Sequence, residues 1–183
     1  LVQGAVQKAQ YLEPLTPQSM KVTESALIIG GGIAGIYSAL ELADKGYQVY
    51  LVERNPSIGG HMAQLSKTFP TFDCSACILT PKMVSVAHHP NIKIFTNAEP
   101  VAVKGTPGNY EVKVKIKPRY VNLEKCTACG ECAVKCPVKK PSKFEENLVT
   151  EKAIYIPFKQ AIPNAYAIDK DYCLYLTRGV CRI

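Results

Sequence analysis

Four cysteines stand in the run Cys126-Thr-Ala-Cys129-Gly-Glu-Cys132-Ala-Val-Lys-Cys136-Pro137. This C-x2-C-x2-C-x3-C-P spacing is one that holds 4Fe–4S clusters. Two-residue gaps let one tight loop turn Cys126, Cys129 and Cys132 toward a single small cube, and Gly130 relieves crowding within it. The same chain carries Gly30-x-Gly32-x-x-Gly35, the spacing of a dinucleotide-binding loop. Together the two motifs imply one-electron chemistry coupled to two-electron chemistry.

Each glycine of that loop has a task. Gly30 permits the tight turn, Gly32 lets the backbone approach a pyrophosphate, and Gly35 lets helix and strand pack closely. Ile33, Ala34 and Gly35 open the helix, so their N–H groups and the positive dipole end face the phosphates. Glu53 ends the next strand, 23 residues after Gly30, where a carboxylate accepts ribose hydroxyls. The plain alternative is a glycine-rich turn with no ligand. The string from Glu53 and Arg54 to Gly59 and Gly60 resembles the stretch after the second strand in FAD enzymes of the glutathione and thioredoxin reductase type. That favours FAD, although an acidic strand end alone serves NAD equally well.

The cysteine before proline in two-cluster ferredoxins ligates the other cluster. Cys136 would then share a second cluster with Cys173 and Cys181, although their x7 gap departs from the usual x2. Asp169-Lys-Asp-Tyr-Cys173 weakly echoes Asn122-Leu-Glu-Lys-Cys126, as a second cluster-binding lobe would. Zinc is the alternative, but it usually takes paired C-x-x-C knuckles or histidines, and no histidine lies near this run. Cys74 and Cys77 form an isolated C-x-x-C. A redox disulfide beside a flavin, two buried thiols and ligation of a further cluster all remain open, with cluster ligation preferred.

The elements that position these groups read as α/β. Residues 1–24 suggest a short helix and a linker with Pro14 and Pro17. Residues 25–121 read as the first part of a Rossmann-like FAD-binding domain, incomplete and of thioredoxin reductase type. Within it lie strand 25–29, helix 33–45 and strand 47–52, with Gly46 as the helix stop. A short helix is expected near Pro81 to Ala87. Alternation around 92–95, 101–103 and 112–116 predicts half-buried antiparallel strands, two of them joined by a turn at Pro107-Gly108-Asn109. Residues 122–183 read as a truncated ferredoxin-like 4Fe–4S domain, with 137–168 a long connector rich in Lys and Pro.

Composition narrows the class. The 183 residues hold eight cysteines, six of them in C-x-x-C or C-x3-C steps, which argues for metal rather than disulfides. No apolar run is long enough for a membrane span and no secretory leader is seen, so a cytoplasmic protein is expected. The net charge of +7 reads as a solvated surface or, second, as attraction to an acidic partner protein. Lys113, Lys115, Lys117 and Arg119 alternate along one strand face without interleaved aromatics, so nucleic acid is not expected. No Ser/His/Asp or paired-carboxylate arrangement is present, which leaves no catalytic side chain beyond the redox groups. Leu1 at the start and Cys181 near the end, inside what reads as another cysteine motif, are expected of a piece of a longer polypeptide.

Four stretches then carry a resemblance. GGGIAGIYSALELADKGYQVYLVERNPSIGGHMAQL, FPTFDCSACILTPKM, KPRYVNLEKCTACGECAVKCPV and KAIYIPFKQAIPNAY together resemble the A-type subunit of the CoB–CoM heterodisulfide reductase family. The resemblance implies FAD and 4Fe–4S clusters, with a ferredoxin domain inserted in a thioredoxin-reductase-like domain. It implies an oligomeric complex with other heterodisulfide reductase subunits, fed by hydrogenase or formate dehydrogenase. Within it, in methanogenesis, flavin-based bifurcation would split electron pairs between ferredoxin and the heterodisulfide. It also takes His61 into the cofactor-contacting stretch after Gly60; as side chains, His61, His88 and His89 read as surface or packing residues. A related FAD and iron–sulfur protein of sulfur or sulfate metabolism shares every motif. A zinc-stabilised nucleotide-binding scaffold is the alternative of another class, separable by its lack of visible colour.

Overall fold

The fold is taken from a computed structural model that describes residues 2–13 and 19–181. Pro14 and Pro17 of the expected linker lie outside the described residues. The chain opens with α1 (Val2–Gln10), β1 (Ser25–Ile29), α2 (Ile33–Asp44) and β2 (Gln48–Val52). A single 3-10 turn, a two-residue hairpin of β3 (Lys67–Thr68) and β4 (Asp73–Cys74), then α3 (Ser75–His88) and β5 (Ile92–Phe95) follow. β1, β2 and β5 form one parallel sheet in the order β1-β2-β5. α2 and α3 bury Ile36, Ala39, Leu40, Leu79, Met83 and Val86 against Val49, Leu51 and Ile92. Fully buried aliphatics of this kind contribute roughly 1.5–3 kcal/mol each, and they fix where the glycine loop between β1 and α2 stands.

Two expectations change here. α3 is not a short helix near Pro81 but runs 14 residues from Ser75, with Pro81 inside it. Proline suits a helix start, but here the Cys74 sulfur caps the Cys77 N–H at 3.3 Å and the Ser75 hydroxyl donates to the Met62 carbonyl. Burial of Leu79, Met83 and Val86 along one face then carries the helix past the proline. β5 is not an antiparallel strand; it joins β2 in parallel because α3 returns the chain to the same sheet edge.

β6 (Ala98–Thr106) and β7 (Asn109–Ile116) form the expected antiparallel hairpin, turning at Pro107-Gly108 with Gly108 at φ +86°. Lys113, Lys115 and Lys117 are exposed on β7 and just beyond it, and Lys117 pairs with Glu99 at 2.7 Å. Arg119 does not continue that solvated row. It is only 9% exposed, because the strand ends at Ile116 and Pro118 breaks the alternation.

The later part contains α4 (Glu131–Lys135), β8 (Lys139–Pro141), β9 (Thr150–Lys152), β10 (Ile154–Tyr155), β11 (Ala167–Ile168) and α5 (Leu174–Arg178). The segment expected as a plain connector therefore forms two antiparallel ribbons, β8 with β9 and β10 with β11. It also folds back on the first sheet: Ile58 and Ile162 form a β-bridge, and Phe158 and Ile162 pack on the core.

Candidate functional site

The glycine loop is built by backbone demands. Gly30 sits at φ +105° and its N–H donates to the Val52 carbonyl at 2.8 Å, tying the loop to the end of β2. A side-chain carbon at Gly35 would stand 2.0 Å from the Gly30 carbonyl oxygen, so helix and loop meet only through glycine. At Gly32 the nearest atom would be 4.0 Å away, on Gly60. That position is open to an approaching group rather than filled by protein. Gly32 caps α2 without a side-chain bond, and the N–H groups of Ile33, Ala34 and Gly35 open the first turn. This is a ready anion cradle.

Glu53 is 5% exposed at the end of β2. Its Oε2 accepts the Gly31 N–H at 2.6 Å and its Oε1 accepts the Asn55 N–H at 2.8 Å. A carboxylate has about four acceptor positions, so two remain for hydroxyls. Gly31, absent from the spacing argument, has its own constraint: a side-chain carbon there would meet Ile58 at 2.7 Å and the Glu53 carboxylate at 3.1 Å. Gly59 donates to the Gly31 carbonyl at 2.7 Å, and Gly60, at φ +58°, would clash with Gly32 if it carried a side chain. The second glycine pair thus backs the first.

These residues open on a cleft of about 580 Å3. Gly30, Glu53, Arg54, Gly60 and His61 line one side of it. The His61 ring bonds Gln64 at 2.8 Å. The other side comes from the later segment, with Phe144 and Phe158 stacked at 5.0 Å between ring centres. Sequence spacing missed this wall. An aromatic in each half of a Lys- and Pro-rich stretch was the available signal.

The cysteine loop follows its own rules. The Asn122 side chain accepts the N–H of Glu124 at 2.8 Å and the Asn122 carbonyl accepts the Cys126 N–H at 3.1 Å. Gly130 takes the left-handed conformation at φ +89° and starts α4. Cys129 and Cys132 are exposed, while Cys126 and Cys136 are half-buried. The Glu131 N–H, then the Thr127 hydroxyl, hold the Cys129 thiol below the usual thiol range, whereas burial pushes Cys132 up. Among the described residues no three such groups close on a single ion. A four-iron cube takes one thiolate per iron, and this loop presents thiols with N–H donors beside them.

The weak echo becomes the same turn. The Asp169 side chain accepts the Asp171 N–H at 3.1 Å and its carbonyl accepts the Cys173 N–H at 3.0 Å. Cys173 then leads into α5, and the left-handed Gly179 ends that helix just before Cys181. The odd seven-residue gap is therefore a helical turn. Lys140, 2% exposed, bonds Glu151 and reaches Asp169 at 3.3 Å, and the Lys152 ammonium donates to the Cys136 carbonyl at 2.7 Å. Burial pulls the Lys140 ammonium down, but its Glu151 bond together with the charges of Glu151, Tyr155 and Asp169 leaves it above the ordinary lysine range.

Lys140→Met leaves two half-buried carboxylates without their cation, a loss of about 3 kcal/mol. Amide exchange across Thr150–Lys152 and Ala167–Ile168 is then expected to quicken about a hundredfold. Unchanged exchange would show that this ammonium does not hold the Cys173 turn.

Cys74 and Cys77 meet at the start of α3, joined as a disulfide. A redox disulfide is one of the three readings the sequence leaves open for this pair; the preferred one, ligation of a further cluster, is a proposal for the reduced pair. A two-residue gap wrapped on a helix N-terminus brings the sulfurs into bonding range, and a disulfide has no thiolate for iron until it is reduced. His88 is exposed, and His89 bonds Asp44 at 3.3 Å, as packing and surface residues do.

A parallel Rossmann half with a cysteine lobe folded against its cleft defines the class: an iron–sulfur flavoprotein of α/β architecture. The family descriptions agree, with an NAD(P)-binding Rossmann-like domain matching residues 28–89 and a 4Fe-4S binding domain matching residues 119–139. The chain belongs to the family of A-type heterodisulfide reductase subunits. It is 57% identical over 99% of its length to the A-type iron-sulfur subunit of the CoB–CoM heterodisulfide reductase of Methanocaldococcus jannaschii. It is 54% identical over 95% of its length to the A-type subunit of the H(2):CoB-CoM heterodisulfide,ferredoxin reductase of Methanothermobacter marburgensis. A protein of Archaeoglobus profundus described as similar to the same heterodisulfide reductase subunit is 55% identical over 95% of the chain. The chain spans only about a quarter of these relatives, 27%, 26% and 25% of their lengths. Among solved structures, thioredoxin reductase of T. acidophilum covers 48% of this chain and 29% of its own at 21% identity, with a TM-score of 0.40. The residues present fit FAD in the glycine cleft and a 4Fe–4S cluster in the cysteine loop. No helix among the described residues is long and apolar enough to cross a membrane.

Proposed function

We propose that this chain is the flavin- and cluster-bearing part of an electron-transfer subunit in a heterodisulfide reductase complex. One observation carries the reading: the segment that joins the two cysteine sets also walls the glycine cleft, through Phe144 and Phe158. A flavin takes electrons in pairs and releases them singly, and a cluster carries one at a time.

The chain's own residues do the rest. Gly32 and the first turn of α2 hold the pyrophosphate, Glu53 takes ribose hydroxyls, and the aromatic wall keeps water from one side of the cleft. Cys126, Cys129 and Cys132 hold one cluster, and Cys136, Cys173 and Cys181 contribute to a second. Residues 25–121 make up the first part of the flavin domain and 122–183 the cluster domain.

The finer reading is bifurcation of electron pairs between ferredoxin and the CoM-S-S-CoB heterodisulfide, in the cytoplasm. Hydrogenase or formate dehydrogenase subunits would be the donors. The name of the Methanothermobacter relative, which joins H(2), the CoB-CoM heterodisulfide and ferredoxin, supports the pairing of those substrates.

The test is anaerobic purification of the full-length polypeptide, followed by a visible spectrum and iron, sulfide, zinc and flavin analysis. Bound flavin with a broad iron–sulfur absorption is expected. A colourless, zinc-containing protein would overturn the reading.

A further inference from the structure

Tyr166 lies against the first cysteine loop. A side-chain carbon at Gly130 would stand 3.3 Å from its hydroxyl oxygen, so the phenol tip covers the loop between Cys129 and Cys132. Among the described residues no buried side-chain oxygen lacks a partner, so this hydroxyl is not a buried orphan; it stands at the edge of the loop, free to turn toward it.

The backbone beneath Tyr166 is held from the flavin side. Arg119 donates from one nitrogen to the Ala165 carbonyl at 3.0 Å and the Tyr166 carbonyl at 3.4 Å. Its other terminal nitrogen donates to the Pro56 carbonyl and to the Thr96 hydroxyl, the latter at 3.1 Å. Pro56 lines the same cleft as Glu53 and Arg54. One guanidinium therefore fastens the cleft floor to the residue that covers the cysteine loop. The planar fork of arginine suits such a fourfold bridge, and lysine cannot copy it.

Resting on the cluster assignment above, we infer that the Tyr166 hydroxyl donates a hydrogen bond to a sulfur of the cluster held by Cys126, Cys129 and Cys132, and so raises its reduction potential. Reduction adds negative charge to the sulfurs, which strengthens a hydrogen bond to them and favours the reduced form. Arg119 is a positioning residue acting through Tyr166. No atom changes place in this step; one electron is gained and the donor proton stays on the tyrosine oxygen.

The experiment is an EPR-monitored redox titration of the cluster-loaded full-length protein. In Tyr166→Phe one cluster is expected to become about tenfold harder to reduce, a fall of about 59 mV for one electron, with iron content and the other clusters unmoved. Site-specific 3-fluorotyrosine at position 166 is a stronger donor and should shift the same cluster upward. Arg119→Lys should lower the potential of that cluster too, and should add nothing once Tyr166→Phe is present. Unchanged potentials in an iron-replete Tyr166→Phe protein overturn the inference while leaving the cluster assignment standing. If Tyr166→Phe fails to load iron, an unmoved potential in the fluorotyrosine protein overturns it instead. No iron signal from this loop in the wild type overturns both.

Discussion

Gly32→Val is expected to leave the full-length protein folded and strip it of flavin. The nearest atom to a β-carbon there is 4.0 Å away, so the backbone accepts the first carbon of a side chain. A pyrophosphate does not, because valine fills the space through which it reaches the first N–H groups of α2. Losing two charge-assisted bonds of about 1.5 kcal/mol each weakens binding about a hundredfold. Gly35→Ala is the control with the opposite signature. Its methyl would sit 2.0 Å from the Gly30 carbonyl, so the strand–loop–helix unit itself is damaged, by about 3 kcal/mol or more. Flavin content and circular dichroism on both variants separate the two effects. Full flavin retention in Gly32→Val would refute the cradle.

The second large effect falls on iron. Cys129→Ala should lose about one cluster, roughly four irons, and keep its flavin. Cys129 is exposed, and the Glu131 N–H and the Thr127 hydroxyl already favour its thiolate. Alanine removes that ligand without disturbing a core, since the buried core of the first sheet lies elsewhere. Iron, sulfide and flavin are measured on the same preparation. Unchanged iron would count against the ligand assignment, and lost flavin would mean that the cysteine loop holds the cleft together.

Which parts could be read in advance follows from what each residue must do locally. Gly30, Gly35 and Glu53 were legible because a positive φ, a 2.0 Å approach and a carboxylate at a strand end each demand one residue type at a fixed offset. The turn before Cys173 was legible for the same reason, since Asn122 and Asp169 make identical side-chain turns. Arg119 was not, because its partners Pro56, Thr96 and Ala165 are scattered in sequence and meet only through folding. Phe144 and Phe158 likewise show no periodicity that marks them as a cleft wall. β5 alternates like a half-exposed strand, and only α3 beside it decides that its partner is parallel. The start of α3 was hidden by Pro81, a strong local signal overruled by a cysteine cap and a buried face.

The cysteine lobe is fastened to the first half of the chain through Arg119, the Ile58–Ile162 bridge and the Gln64–Phe144 bond, among other contacts. Such contacts set the cleft and the cysteine loop side by side in one piece. Electrons crossing between the cleft and the cysteine loop would travel a fixed gap rather than wait for a swinging arm, and a more viscous solvent would not slow the crossing.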